Sequence, residues 1–390
     1  MTNDTITAME LSLPQTEAKA WPLRMFRGLW KWLLGAFSCQ NPLLALIGAG
    51  WGYRLARRSA LKAWWKKRPN AMEGETFRQF ARSHEHLQAF ERTPNWFLAQ
   101  DKQEHNRLVT TFHSLAINLW LGFRAWFHSL VFLAIPSSLM MFSWYSGWDN
   151  SFNKGYEQFD VGAMLGLFGV GLLIVVMLYL PMAQARFAVT QRVRSFYDFR
   201  LIRKVIRRQW SSCLWLVAGY ALAGLPLMLA GSFLGVATAT ESLANLTPQE
   251  ALAFLNKYYF VWGLYVFAAF VLLRAWAGRI YARGLLTCVQ TGRIQDASLK
   301  AWEREAMQTC GLKTEAESAP KRSLLWTSNT LARVFAGGLA SIAIWLTFAA
   351  QIYVTQFFAA QPELKRWGNH PLIQVPWFHH IPSHLKNIEP

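Results

Sequence analysis

The residues best suited to metal chemistry are four histidines near the end of the given sequence. Imidazoles four residues apart, such as His380 and His384, share one face of a helix and can bind one transition-metal ion. Pro376 and Pro382 argue against a regular helix there, and no cysteine or acidic residue lies close by. We therefore expect neither a metal site nor a cofactor, and interpret 360–390 as an irregular, extracytoplasmic Pro/His-rich tail, solvated or facing headgroups. The four histidines are His370, His379, His380 and His384.

Catalytic nucleophiles and bases are scarce in the apolar stretches of the sequence. Ser137, Ser138 and Ser212 have no histidine or acidic residue at a matching depth, so no catalytic triad is indicated. His128 is interpreted as an interfacial or packing residue rather than as a proton relay. The sequence contains neither a GxxxxGK[ST] phosphate loop nor an HExxH zinc motif. We expect no catalytic residue and a protein that is not an enzyme.

The most basic segment is 186–209, which carries eight Lys/Arg residues and one acidic residue, Asp198. In a helix, Arg192, Arg203 and Arg207 would lie toward one side. One interpretation is topogenic, in which the charges hold a hinge at the cytoplasmic leaflet and contact lipid phosphates. The other is a docking surface for a partner or an anionic ligand. The candidate lipid- or partner-binding residues are Arg186, Arg192, Arg194, Arg200, Arg203, Lys204, Arg207 and Arg208.

Composition favours a membrane protein over a nucleic-acid-binding one. The 390 residues are 53% hydrophobic, with 20 Trp and 27 Phe, and the formal net charge is +18. The basic residues gather beside apolar stretches, a pattern typical of charges that face an anionic leaflet. We therefore expect membrane lipids with anionic headgroups as partners, together with possible protein partners in the membrane, and no nucleic acid. The four cysteines are scattered and form no CxxC pair, so reduced thiols are expected.

Five long apolar stretches predict an all-α, polytopic transmembrane helix bundle of about five spans, with amphipathic interfacial helices. Four of the spans form a membrane core over 125–285. The fourth span belongs to a helix that begins with Thr247 as N-cap, Pro248 at the first position and Glu250 at the third. The predicted spans are 125–144, 161–182, 212–236, 258–273 and 334–358.

The part of the chain before the first span is expected to lie in the cytoplasm and at the interface. Residues 1–20 are polar and predicted to be disordered, whereas 21–124 is basic and aromatic. Within it, 32–53 is free of charge and long enough to cross the membrane. A re-entrant or interfacial helix pair is preferred over a single span there, because of the orientation argument below. Residues 107–124 form an amphipathic helix that could lie on the membrane.

The distribution of basic residues sets the orientation. Connecting segments alternate between many and few Lys/Arg residues, which places the N-terminus in the cytoplasm and the C-terminus outside. A single span at 32–53 would break this alternation. Residues 286–333 are then a cytoplasmic helix and linker. The Lys/Arg counts are 17 in 1–124, one in 145–160, eight in 186–209, one in 237–257, ten in 274–333 and three from 360 onward.

A family resemblance is carried by LYLPMAQARFAVTQRVRSFYDFRLIRKVIRR, residues 178–208. It resembles a signature in a group of uncharacterised bacterial multi-pass membrane proteins, the domain-of-unknown-function family 4013. Pro181, Gln184 and 185–188 match the Y-L-P-x-x-Q-A-R-F-A element. The resemblance covers roughly 95–285, and it implies a polytopic inner-membrane protein without implying an activity.

Together these patterns indicate an integral inner-membrane protein that is a non-enzymatic structural subunit or a scaffold of a membrane assembly. This hypothesis rests on the poverty of polar groups within the spans and on the abundance of interfacial Trp and Arg. The alternative is a transporter or channel component. Such a protein needs a polar path, for which the helix breaks at Pro136, Pro181 and Pro226 are the candidates.

Overall fold

In the described residues, helices form the whole regular structure and no strand is present. The computed structural model describes 21–69, 74–94, 96, 107–143, 159–237, 246–312, 337–350 and 368–379. The α-helices are α1 (Trp21–Ser38), α2 (Pro42–Trp65), α3 (Phe77–Ser83), α4 (Arg107–Ser143), α5 (Phe159–Thr190), α6 (Phe199–Arg208), α7 (Trp210–Ala237), α8 (Pro248–Gln290), α9 (Ala301–Thr309) and α10 (Gly337–Ala350). Short 3₁₀ helices occupy Glu85–Phe90, Val193–Tyr197 and Asp296–Ser298. The predicted all-α bundle is confirmed.

Four helices are long and apolar enough to cross a membrane. They include Leu108–Ser143, Met164–Thr190, Trp210–Leu234 and Pro248–Gln290. The chain is therefore a multi-pass membrane protein. Of the predicted fifth span, only the shorter apolar helix Gly337–Ala350 lies within the described residues.

The long helices extend beyond the apolar stretches that predicted them. The N-cap of α8 is as expected, since Thr247 and Glu250 form a reciprocal capping box ahead of Pro248. From there α8 continues for 43 residues, about 65 Å at 1.5 Å per residue. Residues 107–124 are helical, as predicted, and they are continuous with the first predicted span, because α4 runs unbroken from Arg107 to Ser143. Each of α4, α5 and α7 also continues through an internal proline.

Residues 21–65 form a helical hairpin. Helix α1 ends at Ser38, and Asn41 caps α2 by accepting a hydrogen bond from the Leu43 amide at 2.9 Å. Lys31 Nζ on one arm and Trp51 Nε1 on the other both donate to the Pro94 carbonyl, at 3.0 and 2.9 Å. Both arms of the hairpin therefore contact the same segment. A helix pair, rather than one continuous helix, therefore forms at 32–53.

Helix α2 lies at the centre of the bundle and approaches its neighbours closely. A Cβ atom added at Gly50 would lie 1.9 Å from the Asn118 carbonyl oxygen, and one at Gly122 would lie 1.9 Å from that of Leu46. The backbones of α2 and α4 therefore cross with no room for a side chain, the contact that small residues permit in membrane helices. On another face, the Trp64 indole donates to the Ala282 carbonyl of α8 at 2.8 Å.

The short helices of the region before α4 are present as expected at the surface, but their apolar side chains are buried. Phe77, Phe80 and Leu87 are at most 5% exposed. The Arg57 guanidinium lies 4.3 Å from the Trp302 ring centroid, which joins this region to α9. The segment thus packs on the bundle.

Candidate functional site

The predicted basic segment folds into a 3₁₀ turn followed by the amphipathic helix α6. Leu201, Ile202 and Val205 are buried against the bundle. The basic side chains of α6 are exposed, and we call them, with the two arginines of the preceding turn, the basic face. Its members are Arg192, Arg194, Arg200, Arg203, Lys204, Arg207 and Arg208. Seven of the eight predicted candidates are therefore exposed.

The eighth candidate for lipid or partner binding, Arg186, is buried, which contradicts that prediction. It lies in α5 and its side chain has no exposed area. Arg186 Nη1 is 2.5 Å from Asp198 Oδ2, and Arg186 Nε is 3.7 Å from Glu303 Oε1. A buried guanidinium needs such counter-charges because desolvation of an unpaired ion costs several kcal/mol. Arg186 thus pairs with groups inside the protein.

Glu303 ties this charged cluster together. It is fully buried in α9, where Oε1 accepts a hydrogen bond from the Tyr281 hydroxyl at 2.5 Å. Its Oε2 accepts from the Lys300 amide at 2.9 Å, which caps the start of α9. The cluster therefore joins α5, the start of α6, α8 and α9. The sequence contains no motif that would have paired Glu303 with Arg186, since 117 positions separate them in the chain.

A second buried arginine, Arg274, lies in α8 and is 1% exposed. The charge count grouped it with the connecting segment 274–333, whereas its side chain is buried among the helices. Its Nη1 donates to Gln184 Oε1 and, at 3.2 Å, to the Tyr220 hydroxyl. Its Nη2 donates to the carbonyls of Leu372, at 3.4 Å, and Ile373. Arg274 therefore lies in the bundle core and is solvated by neutral acceptors.

Aromatic rings and further polar groups complete the Arg274 site. The guanidinium carbon lies 4.7 Å from the Phe270 ring centroid and 5.3 Å from that of Tyr53, distances that permit cation–π attraction. The Gln184 amide also donates to Ser129 Oγ at 2.7 Å and to the Ile373 carbonyl at 2.9 Å. Gln184 was noted only as part of the family resemblance, and Arg274 was treated as the flank of a span.

The carbonyls that face Arg274 belong to 368–379, which we call the inner segment. Leu372, Ile373 and Val375 are buried within the core. At one end of the segment, His370 Nε2 lies 3.2 Å from Ser137 Oγ of α4. At the other end, the Phe378 amide donates to the Cys39 carbonyl at the hairpin turn, at 3.2 Å. The segment is irregular, as predicted, but the expectation that it is solvated or faces headgroups is wrong.

Of the remaining predicted histidines, the structure describes His128 and His379, which contact different partners. His128 Nδ1 lies 2.8 Å from the Tyr197 hydroxyl, the packing role expected for it. His379 Nε2 lies 3.1 Å from Asn256 Oδ1, whereas His380 and His384 lie outside the described residues. Within the residues that the structure describes, no three His, Cys, Asp or Glu side chains are grouped to hold a metal ion. All four cysteines are free and buried.

Comparison with known proteins places this geometry in context. Residues 111–239 match a family described as "Protein of unknown function (DUF4013)". The predicted resemblance is confirmed there, over a shorter range than 95–285 and about a third of the chain. The match includes Gln184, Arg186 and the basic face, whereas Arg274, Glu303 and the inner segment lie outside it. No curated protein and no solved structure matches the chain.

Proposed function

We propose that this membrane protein is a non-enzymatic structural subunit or scaffold, anchored at its basic end to an anionic leaflet. The observation that carries the proposal is the division of α6 into a buried apolar side and an exposed basic side. The two buried arginines, by contrast, bind other parts of the same chain. The basic face is thus the part of this segment that can bind a partner outside the protein. Each Lys or Arg near anionic lipid contributes about 1 kcal/mol to membrane binding.

The proposed orientation puts the basic face in the cytoplasm of a bacterial cell, with the N-terminus on the same side and 380–390 on the opposite side. Two single-cysteine positions test it, Arg203→Cys and Asn387→Cys, in cells treated with a membrane-impermeant maleimide. We expect only the second to react before lysis. Reaction of both from outside, or of neither, contradicts the orientation.

Co-purification tests the scaffold proposal. The full chain is extracted in mild detergent, and its bound lipids and proteins are identified by mass spectrometry. A quadruple variant, R203Q/K204Q/R207Q/R208Q, should lose most of its retained anionic lipid. The matched control R78Q/R92Q/K66Q/K67Q removes four exposed charges elsewhere and should retain it. Recovery of a pure monomer with neither lipid nor partner argues against a scaffold. Loss of a bound protein, with lipid unchanged, assigns the basic face to partner docking instead.

A second candidate function, a transporter or channel component, is supported by the polar groups in the core. Ser137, beside Pro136, and Gln184, near Pro181, both contact the inner segment. The helices continue through Pro136 and Pro181, but both prolines lie close to residues of one buried polar region, which is where a transport path would be built. Chloride conductance across reconstituted proteoliposomes supports this candidate, and a membrane that remains tight to chloride favours the scaffold.

A further inference from the structure

Arg274 holds a charge that its surroundings do not neutralise. Within the described residues, no carboxylate lies in ion-pairing distance of its guanidinium, and the four hydrogen-bond acceptors are neutral. Its Nε is buried and has no hydrogen-bond partner. A charged group inside a membrane bundle is costly and most often marks a functional site. The core of the bundle therefore contains a guanidinium whose charge has no counter-ion among the residues described and whose Nε–H is unused.

The present occupant of the guanidinium fork is a stretch of backbone. The Ile373 carbonyl accepts from both Arg274 and the Gln184 amide, the two donors that a carboxylate oxygen would use. The inner segment has no regular secondary structure to hold it in place. Its Gln374 amide nitrogen is also buried without a hydrogen-bond partner. These features describe an occupant whose polar groups are incompletely satisfied, and hence one that a better-matched ligand can displace.

We propose that Arg274, Gln184 and Tyr220 form a binding site for a monocarboxylate, which the inner segment occupies when no ligand is bound. An arginine fork and a carboxylate pair in a bidentate manner, with stronger hydrogen bonds than carbonyls provide. The single positive charge matches a monoanion, whereas a phosphate dianion would leave a net negative charge in the core. The Tyr53 and Phe270 rings beside the guanidinium favour a ligand with an apolar body. This site goes beyond the scaffold function and does not depend on it.

Release of the inner segment provides the readout. Ile373 is 6% exposed, so a cysteine at this position in Ile373→Cys should react slowly with a maleimide in the full-length protein. Hexanoate serves as the probe and hexanamide, its neutral isostere, as the control. We expect hexanoate to accelerate labelling about tenfold and hexanamide to leave it unchanged, because only the anion shifts the segment between its two positions. The unmodified protein reports the background from its four buried cysteines.

The fork is tested by Arg274→Lys and Arg274→Gln in the same labelling background. Lysine keeps the charge but loses the bidentate geometry, so the hexanoate effect should weaken, and with glutamine it should vanish. If either variant fails to fold, hexanoate should still raise the thermal unfolding midpoint of the unmodified protein, whereas hexanamide should not. The proposal is overturned if hexanoate and hexanamide have equal effects, or if neither the labelling rate nor the unfolding midpoint changes with hexanoate. It is also overturned if inorganic phosphate produces the change and hexanoate does not.

Discussion

Arg186 and Arg274 are equally buried, but they are solvated in different ways. Arg186 lies beside two carboxylates, Asp198 and Glu303, whereas Arg274 lies beside an amide, a hydroxyl and two backbone carbonyls. A carboxylate neutralises a guanidinium, while a carbonyl offers only a dipole. The first arginine is therefore a cross-link between helices, and the second retains affinity for an anion. Burial alone does not distinguish these roles, but the charge of the partners does.

The largest expected effect is at the cross-link. Arg186→Met leaves the buried Glu303 without its cation and should reduce the free energy of unfolding by about 3–5 kcal/mol. Reversible denaturation in detergent, followed by tryptophan fluorescence, measures the loss. The double variant Arg186→Met/Glu303→Leu removes both charges and should recover part of it. A loss below about 1 kcal/mol would mean that the cluster behaves like a surface ion pair.

A pair of hydroxyl deletions sharpens the comparison. Tyr281→Phe removes a 2.5 Å hydrogen bond to the buried Glu303 carboxylate and should cost about 1.5–3 kcal/mol. Tyr220→Phe removes a 3.2 Å bond from Arg274, which keeps three other acceptors, and should cost about 0.5–1.5 kcal/mol. The same denaturation measurement compares them. A larger loss of stability in Tyr220→Phe than in Tyr281→Phe would show that the Arg274 site is the more rigid of the two.

Removal of the second arginine tests the other side of the comparison. Arg274→Met removes a costly buried charge but leaves Gln184 Oε1 and the Leu372 carbonyl without their donor. These effects oppose each other. The free energy of unfolding should fall by about 1–3 kcal/mol, which is less than the loss expected for Arg186→Met. Proteolysis with mass spectrometry should also show cleavage within the inner segment. Protection equal to that of the unmodified protein would show that other contacts hold the segment.

The crossing of α2 and α4 provides a test that involves neither charge. Gly122→Ala places a Cβ atom 1.9 Å from the Leu46 carbonyl oxygen, and the resulting displacement should cost about 1–3 kcal/mol. Gly171→Ala is the matched control, since nothing lies within 4 Å of its added Cβ. It should be neutral or slightly stabilising. Equal midpoints for the two variants in thermal unfolding would show that the helices separate easily.

The smallest effect is a change in thiol reactivity near the Arg186 cluster. Burial raises the pKa of the Cys310 thiol to about 12, so at neutral pH it carries little of the reactive thiolate. Cys310 follows α9, which Glu303 holds in place. Maleimide labelling at Cys310, quantified by mass spectrometry, should be slow in the unmodified protein and faster in Arg186→Met. Labelling of Cys310 should stay slow in Arg274→Met. Equal acceleration by both variants would show that the two arginines do not differ in how they hold α9.

The sequence predicted the elements whose signals are local. Apolar length identified the four long helices, and the Thr247–Glu250 spacing identified the start of α8. Alternation of charge identified the basic segment, seven of whose residues are exposed as surface candidates should be. Each of these signals comes from the hydrophobic effect or from helix-end hydrogen bonding within a short window.

The features that the sequence did not predict depend on distant partners. Nothing within the basic segment distinguishes Arg186 from its neighbours, since its carboxylates come from a turn and from α9. The inner segment has no periodicity, and its burial follows from hydrogen bonds to Arg274 and Gln184. The hairpin was preferred on charge alone, whereas the turn that makes it is fixed by the Asn41 cap. Pairing over such separations leaves no local pattern.

The inner segment is also translated later than the arginine that it solvates. Ile373 follows Arg274 by 99 positions, which a ribosome translates in roughly 5–20 s at about 5–20 residues per second. For most of that interval α5, α7 and α8 have been made, while the two carbonyls that solvate the guanidinium have not. A nascent chain arrested before residue 372 therefore carries an incompletely solvated cation in its core. Membrane quality control would have a chemical mark by which to tell an unfinished copy from a finished one.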